Sequence, residues 1–366
     1  MNQINLGVIG GGLNSAVGYA HFSACRMDNL FVYKKGFFSR DLNTNMLSGR
    51  NYGLNSEDIY DSIDSIIDDS LEIDCWLVLT PTPTHYEVLK KLKRTNKPVI
   101  CEKALCSSYA EALNLLNEFN NNNLFVIFNY TSYPMVREAR EMVKIGMLGD
   151  IITINVEMPQ SGFIKRNNVD EIPKPQGWRM VDNTIATISL DLGVHVHSVI
   201  KFICNVDPLE LFAISNSKGI NKDVIDNLFC LLKYEKNIVS NIWYSKSALG
   251  YSNGLKIRIF GTDGAIEWLQ TNPNEIDFTD KYGKRSKIDM HTNALLSASD
   301  IVYNRFKPGH PVGFIEALAN YYQTIYNSIN GEVDDNLFPL DQAVKGMEIM
   351  QAINDSVMNS KSIKLI

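Results

Sequence analysis

The first 128 residues alternate short apolar runs with helical patterns, and that alternation restricts the fold more than any other feature of the chain. The runs at 4–9, 32–39, 74–80, 98–101 and 124–128 are nearly continuous in apolar residues, as strands are when both of their faces are covered. Helical stretches, such as 85–94 and 109–119, lie between them. This order predicts a parallel sheet with helices on both sides. The first run ends in Gly10-Gly11-Gly12 and leads into a helix-like segment. In such a context backbone amides and a helix N-terminus hold a pyrophosphate. Position 15 is serine and the next glycine is Gly18, so the turn is about three residues longer than the plain G-x-G-x-x-G spacing.

From Asn129 the pattern changes. Pro134 opens a helix, MVREAREMVKIG, whose apolar positions recur at helical spacing and which Gly146 stops. Ile152, Ile154 and Val156 then alternate with Thr153, Asn155 and Glu157, as in a strand with one wet face. Strands are also predicted at 226–234 and 237–244 around a Glu-Lys turn, and at 255–260 and 265–269 joined by Gly261-Thr262-Asp263-Gly264. Short connections between successive strands make an antiparallel sheet, so the second domain is expected to be α+β. Residues 163–176 form a polar, proline-containing loop. Helices are predicted at 313–329 and from Asp341 onward, the latter with Ala343, Met347, Met350, Ile353 and Val357 on one face. A chain of 366 residues is long for a single core. The expected division is 1–128 for a dinucleotide-binding domain, 129–340 for a substrate-binding domain, and 341–366 for a C-terminal helix returning to the first domain.

Charge narrows the partners. Lys and Arg number 35 against 41 Asp and Glu, a net charge of −6, which argues against nucleic acid or an anionic membrane. No stretch of apolar residues is long enough to cross a bilayer. The six cysteines lack C-x-x-C spacing and sit mostly in apolar runs, as small buried hydrophobes do. That usage fits a reducing compartment, and with no basic and apolar leader in the opening residues a cytoplasmic protein is expected.

Three stretches carry chemistry. Thr80-Pro81-Thr82-Pro83-Thr84-His85 and Cys101-Glu102-Lys103 each follow a strand, which places them at the carboxyl edge of a parallel sheet, where ligands bind. The third, SLDLGVHVHSVIKFI, spaces Asp191 and His195 four apart, on one face if helical. His195, Asp191 and His197 also suggest a metal, but residues two apart on a helix diverge and no further ligand is suitably spaced, so none is expected. The second strand ends Phe38-Ser39-Arg40-Asp41. Serine and arginine suit a 2′-phosphate and Asp41 a 2′-hydroxyl, so the expected cofactor is NADP or NAD, with the balance on NADP.

These residues, in this order, resemble the Gfo/Idh/MocA family of sugar and cyclitol oxidoreductases. The resemblance runs over nearly the whole chain: the glycine turn followed by His21, TPTPTH, CEK, NYTSYPMVREAREMVKIGMLGDI, the GWR at 177–179, DLGVH, FGTDGAIEW and GHPVGFIEALANYY. It implies an α/β fold, with an N-terminal Rossmann domain and a C-terminal α+β domain built on a large, open, mostly antiparallel sheet. It implies Lys103, Asp191 and His195 as the catalytic set. Physical sense supports this: oxidising a secondary alcohol removes the hydroxyl proton as hydride leaves to nicotinamide. Imidazole is the fitting base, Asp191 would orient it, and Lys103 would stabilise alkoxide character. The dinucleotide contacts then expected are Gly10, Gly12, Leu13, Asn14, Ser15, Ser39, Arg40, Thr80, Pro81, Thr82, His85, Glu102 and Lys103. The substrate is expected to be a sugar, sugar acid, nucleotide sugar or inositol, touched by Lys103, Tyr130, Trp178, Arg179, Asp191, His195 and His197. The resemblance also implies a homodimer or homotetramer formed through the second domain's sheet. Two departures stand out: Ala104 where the family has proline after Glu-Lys, and Ser198 where it has a second acid. The rival readings are a catalytically silent dinucleotide-binding regulator of the same fold, and metal-dependent hydrolysis or lyase chemistry at Asp191, His195 and His197.

Overall fold

A computed structural model describes residues 2–292, 295–307 and 309–365. The first part of the chain runs β1 (Ile4–Gly10), α1 (Gly18–Met27), β2 (Phe31–Phe37), α2 (Leu42–Asn51), α3 (Ile63–Asp68), β3 (Cys75–Leu79), α4 (His85–Lys93), β4 (Val99–Glu102), α5 (Tyr109–Glu118) and β5 (Leu124–Ile127). It continues with α6 (Pro134–Lys144), β6 (Ile151–Pro159), α7 (Val194–Cys204), β7 (Pro208–Asn216), β8 (Asn227–Tyr234), β9 (Val239–Ser245), β10 (Lys256–Gly261), β11 (Gly264–Leu269), β12 (Asn272–Asp280) and β13 (Arg285–Asp289). The last elements are α8 (Phe314–Ile329), α9 (Leu340–Asn359) and β14 (Ile363–Lys364). No helix among the described residues is long and apolar enough to cross a membrane.

Two compact units form, one from residues up to 132 with 313–344, the other from 133–312 with 345–366. In the first, a five-stranded sheet of order β2-β1-β3-β4-β5 is parallel throughout. Its central strands are the apolar runs: Leu6, Val8, Ile9, Trp76, Leu77, Val78, Val99, Ile100 and Cys101 are all buried, each large side chain contributing about 1.5–3 kcal/mol. Gly7 permits this packing, because a Cβ there would lie 2.6 Å from the Trp76 ring. All six cysteine thiols are free and buried, and burial pushes their pKa values up, so none is a poised thiolate.

The second unit carries a nine-stranded sheet of order β13-β12-β11-β10-β6-β9-β8-β7-β14, antiparallel except where β6 and β9 run parallel. Helices α6 and α7 cover one face through buried Met135, Val136, Met142, Val199, Ile200 and Ile203. Strand β7 escaped the sequence pattern because its outward positions, Leu209, Phe212 and Ile214, are apolar as well, which erases the alternation. Strands β12 and β13 escaped it too: one opens on Asn272-Pro273 and the other is a polar edge strand.

The expected division fails at its C-terminal end. It is α8 that belongs to the first unit, where Tyr321 donates to the Val126 carbonyl at 2.7 Å and Asn320 to the Ser132 carbonyl at 2.9 Å. Most of α9 packs in the second unit: Met350 lies where a Cβ on Gly193 would approach to 2.5 Å, and Ser356 accepts from the Ala213 amide. Both helices are amphipathic, so periodicity alone gives neither its destination.

Candidate functional site

Strand order puts β2 on one side of β1 and β3 on the other, so the chain changes direction at the carboxyl ends of β1 and β3. In open parallel sheets that is where ligands bind. The glycine turn leaves β1 at this point. Gly10 and Gly11 take φ values of +85° and +72°, which side-chain-bearing residues rarely adopt. A Cβ on Gly12 would sit 3.0 Å from the Phe38 carbonyl oxygen and from Ser48 Oγ, and one on Gly18 would sit 2.0 Å from the Gly11 oxygen. Helix α1 therefore abuts the turn through glycine. The Tyr52 hydroxyl donates to the Gly11 carbonyl at 2.8 Å and Ser48 Oγ accepts the Leu13 amide at 3.0 Å, so α2 holds the turn from beneath. Ser15 Oγ accepts from the amide of Gly18, the first residue of α1, at 3.2 Å, while Leu13 and Asn14 are exposed.

At the end of β2, Asn45 Oδ1 accepts from the Phe38 and Ser39 amides, and Ser39 Oγ accepts the Asp41 amide at 3.1 Å. Asp41 caps α2 by accepting from the Thr44 amide at 2.8 Å, and that hydrogen bond holds its carboxyl below the usual range. Arg40 is exposed.

The Thr80–Thr82 segment follows β3, and Glu102-Lys103 closes the adjacent β4. The peptide bond between Lys103 and Ala104, the position where proline was expected, is cis. Lys103 is half-buried, and Glu102 pairs with His21 Nε2 at 3.0 Å. The His85 ring is buried, with Nδ1 2.8 Å from the Ala104 carbonyl oxygen and Nε2 2.7 Å from that of Thr80. Burial pushes its pKa down against the opposing pull of those carbonyls. Tyr130, in the turn after β5, is buried.

In the second unit Asp191 lies in a wide π-helical turn, Ser189–Gly193, that runs directly into α7 and His195. Asp191 Oδ2 accepts from Arg179 Nε at 3.1 Å and from Lys246 Nζ. The Arg179 guanidinium lies 4.2 Å from the Trp178 ring centroid, and Trp178 Nε1 donates to Gln176 at 3.0 Å. Arg179, Asp191, Lys246 and Trp178 are thus one group. His195 and His197 are both buried, and a Cβ on Gly346 of α9 would lie 2.9 Å from His197 Cδ2, which marks how closely that ring is packed. Ser198 Oγ donates back to the His195 carbonyl at 2.9 Å. No three His, Cys, Asp or Glu side chains among the described residues group as a metal site.

Lys246 was missed by sequence reasoning, although a signal was there. Ser240, Ile242 and Tyr244 face inward along β9, and Lys246 continues that buried phase just beyond the strand. A lysine in step with a core face needs a buried anion, and Asp191 is that anion.

Comparison with known proteins adds an independent line. Residues 4–130 match the sequence model described as an oxidoreductase family with an NAD-binding Rossmann fold, and residues 136–267 match the GFO/IDH/MocA C-terminal domain. The uncharacterized oxidoreductase YfiI of Bacillus subtilis is 29% identical over 327 residues, covering 86% of this chain and 82% of that protein. Levoglucosan dehydrogenase of Pseudarthrobacter phenanthrenivorans is 23% identical over 75% of this chain and 76% of its own. Among solved structures, an inositol dehydrogenase homolog of Azotobacter vinelandii, complexed with NADH and myo-inositol, superposes with a TM-score of 0.87 at 21% identity, covering 100% of this chain and 98% of that one.

Proposed function

The chain belongs to the Gfo/Idh/MocA oxidoreductase family, whose first domain binds NAD, and from that premise we propose that it transfers hydride between a nicotinamide dinucleotide and a secondary alcohol or ketone on a polyhydroxylated ring. One observation carries the reading: the glycine turn, the Thr80 segment and Glu102-Lys103 occupy the carboxyl ends of three adjacent parallel strands, β1, β3 and β4. The turn fits a dinucleotide, because it joins the end of β1 to the N-terminus of α1 through glycines at positive φ, the context in which backbone amides hold a pyrophosphate. Gly10, Gly12, Leu13, Asn14 and Ser15 would hold the pyrophosphate, Ser39 and Arg40 the adenosine ribose, and Thr80, Pro81, Thr82 and Lys103 the nicotinamide end. When bound, that group supplies the hydride acceptor or donor. Lys103 donates a hydrogen bond to the substrate oxygen and stabilises alkoxide character, while His195 takes the hydroxyl proton. Asp191, held as a carboxylate by Arg179 and Lys246, keeps the imidazolium favourable. Tyr130, Trp178, Arg179 and His197 are the remaining substrate contacts in this reading. One relative is a levoglucosan dehydrogenase and one solved structure is an inositol dehydrogenase homolog complexed with myo-inositol, so a cyclitol or an anhydro sugar is the class to try first. Nicotinamide fluorescence recorded across a panel of such compounds tests the proposal. A protein that binds dinucleotide yet reduces none of it with any member, and holds no such compound on purification, would instead be a regulator.

For the cofactor, the balance stays on NADP. Asp41 is committed to capping α2, whereas the exposed Arg40 guanidinium has no ion pair or hydrogen bond among the described residues. Arg40→Ala is expected to weaken NADP binding about tenfold and NAD binding by less than about twofold, as measured by calorimetry. Tighter NAD than NADP binding by the parent protein would reverse the assignment.

The proposed oligomer uses the outer face of the second unit's sheet. Phe212, Ile214, Phe229, Leu231 and Val239 are exposed there, and Phe229 stacks on Trp243 at 5.8 Å. Registers Phe212↔Leu231, Ile214↔Phe229 and Phe229↔Trp243 make them one patch, suited to a second copy of this chain. Leu231→Asp is expected to halve the mass seen by light scattering; an unchanged mass, or a parent that is already a monomer, removes this face as the interface.

A further inference from the structure

We propose that His21 and His85 are positioning residues for Lys103, gripping the chain on either side of it: His21 holds the Glu102 side chain and His85 holds the Ala104 carbonyl. The role is of interest because Lys103 is read above as a catalytic group, but its geometry stands apart from that reading and is testable without any substrate.

His21 and His85 are each 1% exposed, and each has a polar atom within 3.0 Å of both ring nitrogens. His21 Nε2 lies 3.0 Å from Glu102 Oε1, and its Nδ1 lies 2.7 Å from the Tyr322 hydroxyl. Glu102 can only accept, so the Nε2 proton belongs to the ring and Nδ1 accepts from Tyr322. Tyr322 suits that part: its burial pushes the phenol pKa well up, so the O–H is retained and donates. The ring that supplies it is fixed by a T-shaped contact with His21 at 5.9 Å and by Phe31 at 5.3 Å. Its helix α8 is tied to the end of β5 through the Tyr321 and Asn320 hydrogen bonds. The grip on Glu102 thus comes from α1 and α8, two rigid elements far from it in sequence.

His85 works on the other flank. Its ring lies between the Ala104 carbonyl oxygen, 2.8 Å from Nδ1, and the Thr80 carbonyl oxygen, 2.7 Å from Nε2; the neutral ring that burial favours has a single N–H, which on Nδ1 donates to Ala104 while the Thr80 oxygen packs against the other nitrogen. Residues immediately before and after Lys103 are therefore each in contact with a buried imidazole. A displacement of roughly 1 Å in a reacting group costs up to about 10²-fold in rate. Holding the chain on both sides removes the main-chain part of such a displacement before any ligand arrives.

Trace acetylation with acetic anhydride, read lysine by lysine in peptide mass spectra, tests this on the intact protein. The variants are His21→Leu, His85→Leu and Tyr322→Phe, the last removing only a hydroxyl. The acetylation rate of Lys103 is expected to rise about threefold or more in each, with Tyr322→Phe the smallest, while Lys35 and Lys246, both buried in ion pairs, stay within about 1.5-fold. A Lys103 rate unchanged in all three variants overturns the proposal. So does a uniform rise across all lysines, which would make the histidines general supports of the fold. Turnover retained by Lys103→Met would sink the catalytic reading of Lys103 and leave the labelling result standing.

Discussion

Lys103→Met is expected to lower kcat about 10³-fold or more on the ring alcohol proposed as substrate, with dinucleotide affinity changed by less than about threefold. His195→Ala should do the same through a different loss. Methionine keeps the length and apolar stem of lysine but removes every donor, so the substrate oxygen loses the hydrogen bond that favours its alkoxide form. Alanine at 195 removes the acceptor for the hydroxyl proton. Hydride cannot leave a neutral alcohol carbon productively unless that proton departs, so the two effects should overlap. Groups acting in one step are strongly non-additive, and the double variant should be little slower than either single one. Fluorescence titration with NADH and NADPH separates binding from chemistry. Near-parental turnover in Lys103→Met would remove lysine from the reaction. Loss of dinucleotide binding in His195→Ala would show the histidine acting through folding instead of through proton transfer.

The parallel sheet was legible because its strands are buried on both faces, so the apolar runs containing Leu6, Val8, Trp76 and Ile100 needed no alternation to be seen. The glycine turn was legible for the opposite reason: it is local, and Gly10, Gly11 and Gly18 answer to backbone geometry within a few residues. What stayed hidden depends on partners distant in sequence. Nothing near Tyr321 says that its hydroxyl will find the Val126 carbonyl, and it is that contact, with others like it, that sends α8 and not α9 to the first unit. Nothing near His85 in sequence says that its Nδ1 will lie 2.8 Å from the Ala104 carbonyl oxygen, beyond the next strand. Strand β7 was hidden by its own surface: outward Phe212 and Ile214 make the strand apolar on both sides although one face is uncovered within the chain.

Lys246→Met is expected to destabilise the second unit by about 3 kcal/mol, the low end of the range for breaking a buried ion pair, because Arg179 continues to hold Asp191. The two side chains are 9% and 11% exposed, so little solvent screens the charge left behind. Thermal unfolding should show it as a midpoint lowered by roughly 5–10 °C, for a unit of this size. The cost belongs to the uncompensated carboxylate, which fixes the control. Asp191→Asn added to Lys246→Met removes that charge, so the double variant should regain about half of the lost stability even though a second wild-type group is gone. Activity should move the other way. The double variant stays as slow as Asp191→Asn alone, because asparagine cannot stabilise an imidazolium at position 195. Lys246→Arg, which keeps the charge but needs more room beside Phe163, should fall between parent and methionine in both stability and rate. Additive losses in the double variant would mean that Lys246 supports the end of β9 through packing alone. In that case the carboxylate of Asp191 would owe its ionised state to Arg179, and the buried lysine phase of β9 would carry no chemistry.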